Sequence, residues 1–329
     1  MRILIYKNSE ANSSRFDLSI IIPVHNGAKT LERCLSTLLV NSEITQEIIL
    51  INDASTDNSK KIILSYIARY PNIQIVNTDY NLGAGLARNI GLQRATGEYI
   101  GFVDCDDWVD CNLFTTVIRR IKETNADIAV FGVRNEYGNS YNSKPRYIYT
   151  NQLTFPTNTA ISLLSRDISN GEYISPMVCQ KVYRLEFLRN NNLMFTGNRH
   201  FEDDIFSYLC FLRKGLVTLV PFVEYHYMQS HHSVSHKISK EYVVDFAKAF
   251  MFLRKELEKQ NVFDQMRGSF ISYMDKCLSS FLKVLMTEEQ SISEQKKYLV
   301  FLLSSLSDVI SLEEAIEYVD LSRLQKFWD

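Results

Sequence analysis

Short apolar segments alternate with amphipathic helical patterns in the first third of the chain, and this alternation restricts the fold more than any other feature. The apolar segments are rich in β-forming residues, as buried strands are, and they comprise Ser19–Val24, Glu47–Ile51, Ile73–Val76 and Tyr99–Val103. After the first of them, apolar residues recur at helical spacing at Leu31, Cys34, Leu35 and Leu38. Strands that alternate with helices form βαβ units, so we expect an α/β protein with a mostly parallel central sheet.

Polar side chains follow three of these strands at the point where each strand ends. Asp53 follows the second strand, Arg88 follows the third behind an Asn81-x-Gly83-x-Gly85 loop, and Asp104-x-Asp106 follows the fourth. The carboxyl ends of parallel strands meet at one edge of the sheet, where α/β proteins place their ligands. Oxygen ligands without His or Cys suit Mg²⁺ or Mn²⁺, so this edge is a predicted metal site.

Each of these residues also has an ordinary structural explanation. An aspartate after a strand can cap a helix or make an Asx turn, and a lone arginine on a helix usually faces water. The glycine loop lacks the third glycine of the dinucleotide fingerprint. The order of the residues along the chain is therefore more informative than any one of them.

Composition narrows the class of protein. The 329 residues carry a net charge of −2, which argues against a nucleic-acid partner. Six scattered cysteines without a Cys-x-x-Cys pair suit a reducing compartment, and we find neither a signal peptide nor an apolar run long enough to span a membrane. The expected location is the cytoplasm, with the inner face of the membrane left open.

Five sequence blocks, in this order, resemble the family 2 glycosyltransferases: Ser19–Asn26, Ile51–Asp57, Asn81–Gly91, Gly97–Asp107 and Phe201–Phe206. They fall within about residues 18 to 235. The resemblance implies a GT-A fold, a nucleotide-sugar donor, Mn²⁺ or Mg²⁺ as cofactor, and inversion at the anomeric carbon. It does not distinguish one member of the family from another.

The resemblance also implies roles for matching residues on the donor side. The residues implied to contact the donor nucleotide are Pro23, Val24, His25, Asn26, Asp53, Asn81, Gly83, Arg88, Asp104 and Cys105. Among them, Asp53 is expected to accept from the uracil ring N–H, Arg88 to lie near the diphosphate, and Asp104 to hold the ribose or the metal. Asp106 is expected to ligate the metal.

A cluster of three acids supplies the expected catalytic group. In Glu202-Asp203-Asp204, mutual repulsion can raise one pKa, which suits a general base. The resemblance assigns the base to Asp203, with Glu202 and Asp204 as further catalytic candidates. The alternative is an acid-rich helix N-terminus, which the helix dipole favours.

Two positions depart from the family pattern. The first of two acids after the second strand is here Asn52, and the arginine expected after Tyr227 is here Met228. Lys181 or His226 is the candidate replacement for that arginine. The histidines at 226, 231, 232 and 236 match no standard zinc spacing, and a loop over the donor site is the favoured explanation of this stretch.

We divide the chain into a lead-in (1–17), a nucleotide-sugar half (18–108), an acceptor half (109–237) and a C-terminal helical region (238–329). In the acceptor half, residues 134–157 are predicted to form loops or an exposed hairpin, and Lys181–Arg189 a helix. Apolar stripes predict that the C-terminal helices pack against the transferase domain or a second subunit, which leaves a homo-oligomer open. The rival is peripheral membrane contact, although the region is not markedly basic.

The expected function is transfer of a hexosyl or N-acetylhexosaminyl group from a UDP-sugar to a hydroxyl of a glycan or lipid-linked acceptor, in bacterial surface polysaccharide synthesis. One alternative is a sugar-nucleotide pyrophosphorylase, which needs a long Gly/Arg-rich loop after the first strand. Here Pro23–Gly27 enters a helix at once. The other alternative is a non-catalytic nucleotide-binding module, against which the intact acids argue.

Overall fold

The computed structural model describes residues 4–7, 16–40, 43–138, 142–165, 173–229, 239–287, 292–307 and 309–311. Four parallel strands form the centre of the sheet, β2 (Leu18–Val24), β3 (Gln46–Asn52), β4 (Ile73–Asn77) and β5 (Tyr99–Phe102). They lie in the order β4-β3-β2-β5 and are connected by α1 (Leu31–Leu38), α2 (Ser59–Ile67) and α3 (Ala84–Arg94). The predicted βα alternation is confirmed.

Glycines let α3 pack closely on the sheet, and this close packing sets the position of the helix. A Cβ on Gly91 would lie 2.4 Å from Cγ2 of Ile21, so only glycine lets the helix come this near to β2. Gly83 caps the helix with φ of 88°, a conformation that side chains disfavour. The glycines of this block therefore place α3 and the loop before it, rather than completing a dinucleotide fingerprint.

The remaining strands extend this sheet on both sides. They are β1 (Leu4–Lys7), β6 (Trp108–Val109), β7 (Ile128–Tyr137), β8 (Asn142–Tyr147), β9 (Thr154–Pro156), β10 (Lys181–Arg184) and β11 (Leu216–Gln229). Within the described residues the main order is β1-β4-β3-β2-β5-β10-β7-β11-β6. β10 is antiparallel to both neighbours, whereas β7 and β11 are parallel. One mixed sheet with a parallel centre thus runs through both predicted halves.

The prediction of a single helix at Lys181–Arg189 is wrong. Residues Lys181–Arg184 form β10, and only Leu185–Asn190 form a helix, α6. Because β10 hydrogen-bonds to β5 on one side and β7 on the other, pairing across the sheet overrides the local helical pattern. The expected hairpin in residues 134–157 is present as β7 and β8, and Leu4–Lys7 of the predicted lead-in pairs antiparallel with β4.

The C-terminal helices share one hydrophobic core with the sheet domain. The helices outside the parallel centre are α4 (Leu113–Thr124), α5 (Thr157–Ser165), α7 (Glu202–Phe211), α8 (Lys240–Lys259), α9 (Phe263–Thr287) and α10 (Ile292–Leu306). Phe246 and Phe281 lie in the same buried cluster as Ile21 and Phe206. The predicted packing of the C-terminal region on the transferase domain is confirmed for its described residues.

Within the described part of the chain, we find no helix that is both long enough and apolar enough to cross a membrane.

Candidate active site

A cavity of about 720 Å³ opens at the carboxyl ends of the parallel strands, and we call it the cleft. Its volume suits a ligand of nucleotide size. The residues that line it are Pro23, Val24, His25, Asp53, Asn81, Gly83, Ala84, Asp104, Cys105, Asp106, Arg199, His200, Glu202, Ser239 and Glu241. Ten of the residues that the sequence singles out are among them.

The acid turn, residues 104–106, lies directly after β5 and borders the cleft. Arg33 donates from Nη2 to the backbone carbonyl of Asp106 at 2.7 Å, and its guanidinium stacks on Trp108, 3.8 Å from the ring centroid. These contacts hold the backbone of the turn and leave the Asp106 carboxylate to the cleft. Burial and the charge of Asp104 raise the pKa of Asp106 to about 6.

The third acid of this block points away from the cleft. Asp107 is fully buried, where it accepts from the Tyr225 hydroxyl at 2.6 Å and from the Met228 backbone N–H at 2.8 Å. The same hydroxyl accepts from the Asp104 backbone N–H at 3.0 Å. Asp107 and Tyr225 therefore tie the acid turn to β11.

Arg88 is surrounded by the acids of two distant sequence blocks. Its Nη2 donates to Asp104 at 2.9 Å, and its Nη1 donates to Asp203 at 2.8 Å and lies 3.4 Å from Glu202. Burial alone lowers the pKa of Arg88, but the three carboxylates reverse this effect and raise it. The arginine that was expected near a diphosphate thus joins the acid turn to the start of α7.

Asp53 borders the cleft and organises the loop before α3. Its carboxylate accepts from the backbone N–H groups of Leu82 and Gly83 and from the Thr78 hydroxyl, all within 3.0 Å. Its backbone carbonyl accepts from Nδ1 of His25 at 2.7 Å. Asn52, at the position where the family has an acid, is buried and donates to Asn77.

The first turn of α7 presents its three acids to different surroundings. Glu202 borders the cleft, and Asp203 accepts from Arg88 and from the Val178 backbone N–H at 3.2 Å. Asp204 accepts from the Tyr273 hydroxyl of α9 instead. Burial raises the pKa of all three carboxyls, that of Asp204 to about 6, and the negative charge of Asp203 adds to this effect at Glu202 and Asp204.

Neither candidate replacement for the missing arginine lies in the lining of the cleft. Lys181 is fully buried, donates to the carbonyls of Ser175 and Met177, and has its pKa lowered by burial to about 8. His226 lies between Glu136 and Asp110, 2.8 and 3.0 Å from its ring nitrogens. The predicted loop over the donor site, with the other three histidines, falls outside the described residues.

Two basic residues that the sequence reasoning passed over do line the cleft. Arg199 and His200 stand directly before the Phe201–Phe206 block, and that position is the signal that could have identified them. The lining does not include four other residues that the sequence singles out, Asn26, Arg88, Asp203 and Asp204. Ser239 and Glu241 of the C-terminal region also border the cleft, and no sequence pattern marks them.

The sequence model of the family described as "Glycosyl transferase family 2" matches residues 19–190, more than half of the chain. This chain belongs to that family. An uncharacterized glycosyltransferase of Escherichia coli K12, YibD, is 33% identical over 195 residues, which are 58% of this chain and 55% of YibD. The poly(ribitol-phosphate) beta-glucosyltransferase of Bacillus spizizenii is 28% identical over 216 residues, 64% of this chain and 32% of that enzyme. The chain thus spans about half or less of the length of these relatives.

Solved structures agree on the fold of this family 2 chain. A crystal structure of S. aureus TarS 1-349 superposes with a TM-score of 0.70 at 18% identity, over 94% of this chain and 88% of that one. The same protein in complex with UDP-GlcNAc superposes with a TM-score of 0.61 at 17% identity, over 94% and 80% of the two chains. The likeness extends through the C-terminal helices and confirms the expected GT-A architecture.

Proposed function

We propose that this chain is an inverting glycosyltransferase that moves a sugar from a UDP-sugar to a hydroxyl of a glycan or lipid-linked acceptor. The observation that carries the proposal is the meeting of three family blocks beside one cleft, where Arg88 contacts both Asp104, 16 residues along the chain, and Asp203, 115 residues along the chain. The TarS complex with UDP-GlcNAc supports a uridine donor. The named activity of the Bacillus relative supports a polymer acceptor in surface polysaccharide synthesis.

The lining of the cleft suits the two parts of such a donor. Asp53, Asn81, the acid turn and Glu202 all border the cleft, and we place the uracil and ribose against Asp53 and Asn81, and the diphosphate and sugar against the acid turn and Glu202. Because both Asp53 oxygens already accept from the loop before α3, we expect Asp53 to shape the uracil pocket as well as to contact the base. Arg199 lines the cleft, where it contacts Asn81 and Glu241, and among the described residues we assign it, rather than Lys181 or His226, as the cation that meets the donor.

The donor set at the acid turn fits Mn²⁺ or Mg²⁺. Asp104 and Asp106 supply carboxylate oxygens, and burial, with the charge of Asp104 added, raises the pKa of Asp106, an effect that a bound cation would offset. Sites for Mg²⁺ commonly use one or two carboxylates and complete their coordination with substrate phosphates, so two aspartates suffice. A bound divalent ion would neutralise charge that develops on the departing diphosphate.

Asp203 is the base in this proposal. The acceptor hydroxyl gives its proton to the carboxylate while its oxygen forms the bond to the anomeric carbon. The bond from that carbon to the diphosphate oxygen breaks, and the electron pair leaves with the diphosphate. Asp203 suits this step because its side chain is 24% exposed, against 15% for Glu202, and because burial raises its pKa.

A test of the function combines binding with turnover. Isothermal titration should show UDP binding that strengthens with Mn²⁺ and is lost in Asp106→Ala. A screen of UDP-sugars, including UDP-GlcNAc and UDP-glucose, should show metal-dependent release of UDP, and NMR of the product should show an inverted anomeric centre. Full turnover in excess EDTA would contradict the proposed metal dependence. Retention of the anomeric configuration would contradict the proposed inverting mechanism.

The alternatives make different predictions in the same screen. A pyrophosphorylase would form UDP-sugar from UTP and a sugar phosphate, and a binding module would bind UDP without turnover. The connection from Pro23 to α1 is too short to contain the long Gly/Arg-rich loop that a pyrophosphorylase needs. Peripheral membrane contact and a homo-oligomer through the C-terminal helices remain part of the proposal, to be tested by vesicle co-sedimentation and by light scattering.

A further inference from the structure

The N-terminal part of α8 reaches into the wall of the cleft. Ser239 and Glu241 border the cleft, and one turn further along the helix stands Asp245, which is 7% exposed. Oδ2 of Asp245 accepts from the backbone N–H groups of Arg199 and His200, at 3.1 and 3.2 Å. A single carboxylate oxygen from the C-terminal region therefore holds the two basic residues that line the cleft.

The same oxygen also contacts the ring of His200. Nδ1 lies 3.1 Å from Oδ2 of Asp245, and a carboxylate that already accepts two backbone hydrogen bonds acts as the acceptor here too. The hydrogen of a neutral His200 ring is therefore on Nδ1, which leaves a lone pair on Nε2. Tyr242 packs edge-on against the ring with 5.0 Å between centroids and fixes its plane.

The other ring nitrogen is available to a ligand. His200 borders the cleft, and among the described residues its Nε2 has no hydrogen-bond partner. A free lone pair in a substrate cavity recognises an N–H or O–H donor. Sugar hydroxyls are the abundant donors in a substrate of the kind that the proposed function requires.

We propose that Asp245 is a positioning residue that holds His200 as the Nδ1–H tautomer, so that Nε2 accepts a hydrogen bond from a sugar hydroxyl bound in the cleft. This inference rests on the proposed function for the identity of the ligand. The hydroxyl belongs either to the transferred sugar or to the acceptor, and both have the same chemistry. The C-terminal helices are then part of the substrate site and not only of the core.

Steady-state kinetics of the full chain test the contact. His200→Asn retains an N–H towards Asp245 but has no atom at the position of Nε2, and Asp245→Ala removes the anchor. Each should raise one KM about 3- to 10-fold, the effect of one lost neutral hydrogen bond, with kcat nearly unchanged. A rise in the donor KM assigns the hydroxyl to the transferred sugar, and a rise in the acceptor KM assigns it to the acceptor.

Two variants serve as controls. Asp245→Asn keeps an acceptor oxygen for the three hydrogen bonds and should stay close to wild type, whereas Glu258→Ala removes an exposed acid of the same helix and should change neither KM. The double variant His200→Asn with Asp245→Ala should be no worse than the poorer single variant, because the two residues act through one contact. Unchanged KM values in His200→Asn would overturn the inference.

The tautomer is measured independently of activity. Two-bond ¹H–¹⁵N spectra of histidine rings, recorded about two pH units above the usual histidine pKa of about 6.5, should show His200 protonated on Nδ1. The signal is assigned by its absence in His200→Asn and should change in Asp245→Ala. An Nε2–H ring in the wild type would overturn the inference, even if the protein proved not to be a transferase. Conversely, an Nδ1–H ring with no turnover of any nucleotide sugar would place the failure in the proposed function.

Discussion

Arg88 governs the charge of the cleft at the scale of single residues. One guanidinium contacts Asp104, Glu202 and Asp203, and its side chain is only 4% exposed, so water screens these charges weakly. Three carboxylates and one cation leave surplus negative charge in a buried site. That surplus, added to burial, explains why protons are held more tightly at the start of α7 than in water.

Replacing Arg88 should therefore destabilise the fold in a pH-dependent way. We expect Arg88→Gln to lower the free energy of unfolding by about 3–5 kcal/mol at neutral pH, because it leaves the carboxylates of Asp104 and Asp203 without the cation that they contact. The loss should shrink as the pH falls, since Glu202 and Asp203 have raised pKa values and take up protons first. Urea denaturation at several pH values measures this. Arg119→Gln, which breaks an exposed pair with Glu43, is the control and should cost under about 1 kcal/mol.

We expect the chemical step to depend on the basicity of Asp203. Asp203→Asn keeps the shape and removes the basicity, so turnover should fall by about 10²–10⁴-fold, the usual contribution of a general base. Affinity for the UDP-sugar should barely change, because the proposed donor contacts are residues that line the cleft and Asp203 is not one of them. Rates come from a UDP-release assay and affinity from calorimetry. If Glu202→Gln stops transfer while Asp203→Asn does not, the base is Glu202.

The ionised carboxylate of Asp106 should destabilise the metal-free protein, and a bound metal should restore this stability. Its pKa of about 6 in the folded chain lies above the unfolded value of about 3.9, so ionisation disfavours the folded state as the pH rises between these two values. Without metal or nucleotide, Asp106→Asn should raise the free energy of unfolding by about 1–2 kcal/mol at pH 7, and by nothing at a pH near 3. Thermal melts in EDTA at the two pH values measure this difference. An equal gain in stability at both pH values would contradict the raised pKa of Asp106.

At the scale of elements, the acid turn depends on β11. Tyr225 is buried on that strand, and its hydroxyl bridges the Asp104 backbone to the Asp107 carboxylate. Asp107 has its pKa raised by burial and by its neighbours Asp106 and Asp104, and two hydrogen bonds from β11 stabilise its ionised form. A residue far along the chain thus decides where the acids of the turn point.

Removing that hydroxyl should loosen the turn. Tyr225→Phe leaves the Asp104 N–H without its acceptor and Asp107 with one donor fewer, which should cost about 1–3 kcal/mol. Metal-dependent UDP binding should weaken with it. Tyr208→Phe is the matched control, because the Tyr208 hydroxyl is buried without a hydrogen-bond partner among the described residues and its loss should cost nothing. Equal effects of the two substitutions would remove the special role of Tyr225.

At the scale of the whole molecule, the C-terminal helices hold α7 from two sides. Asp245 of α8 holds the turn before α7, and Tyr273 of α9 binds Asp204 within it. Phe201, with φ of 63°, packs against Tyr242 and Phe246. The backbone at the start of α7 is therefore supported by contacts that the sheet alone does not supply.

A chain that ends at residue 238 should not behave as a stable monomer. Truncation there exposes the apolar side chains that pack against α8 and α9, and exposed patches of that kind promote aggregation. Size-exclusion chromatography should show aggregates, and thermal melts should show a lower midpoint than for the full chain. A soluble, active and equally stable truncated monomer would contradict the role that we assign to these helices.

The spacing of hydrophobic residues along the sequence was sufficient to predict the parallel centre of the fold. Buried strands and amphipathic helices follow from hydrophobic spacing, and the rule that carboxyl ends of parallel strands share one edge predicted that Asp53, Asp104 and Asp106 would border one cleft. The lining of the cleft agrees with that placement. The same reasoning was wrong at β10, where hydrogen bonds to two neighbouring strands outweigh a helical pattern.

The hydrophobic pattern of the sequence could not predict which side chains contact one another in the site. Arg88 could equally have faced water, a phosphate or a carboxylate, and its three acids come from blocks that only folding brings together. Glu241 and Asp245 lie on a helix that Ser239 caps, and its apolar spacing predicts burial but not which surface it covers. Hydrophobic periodicity depends on neighbours along the chain, whereas the hydrogen bonds and charges of a site depend on neighbours in space.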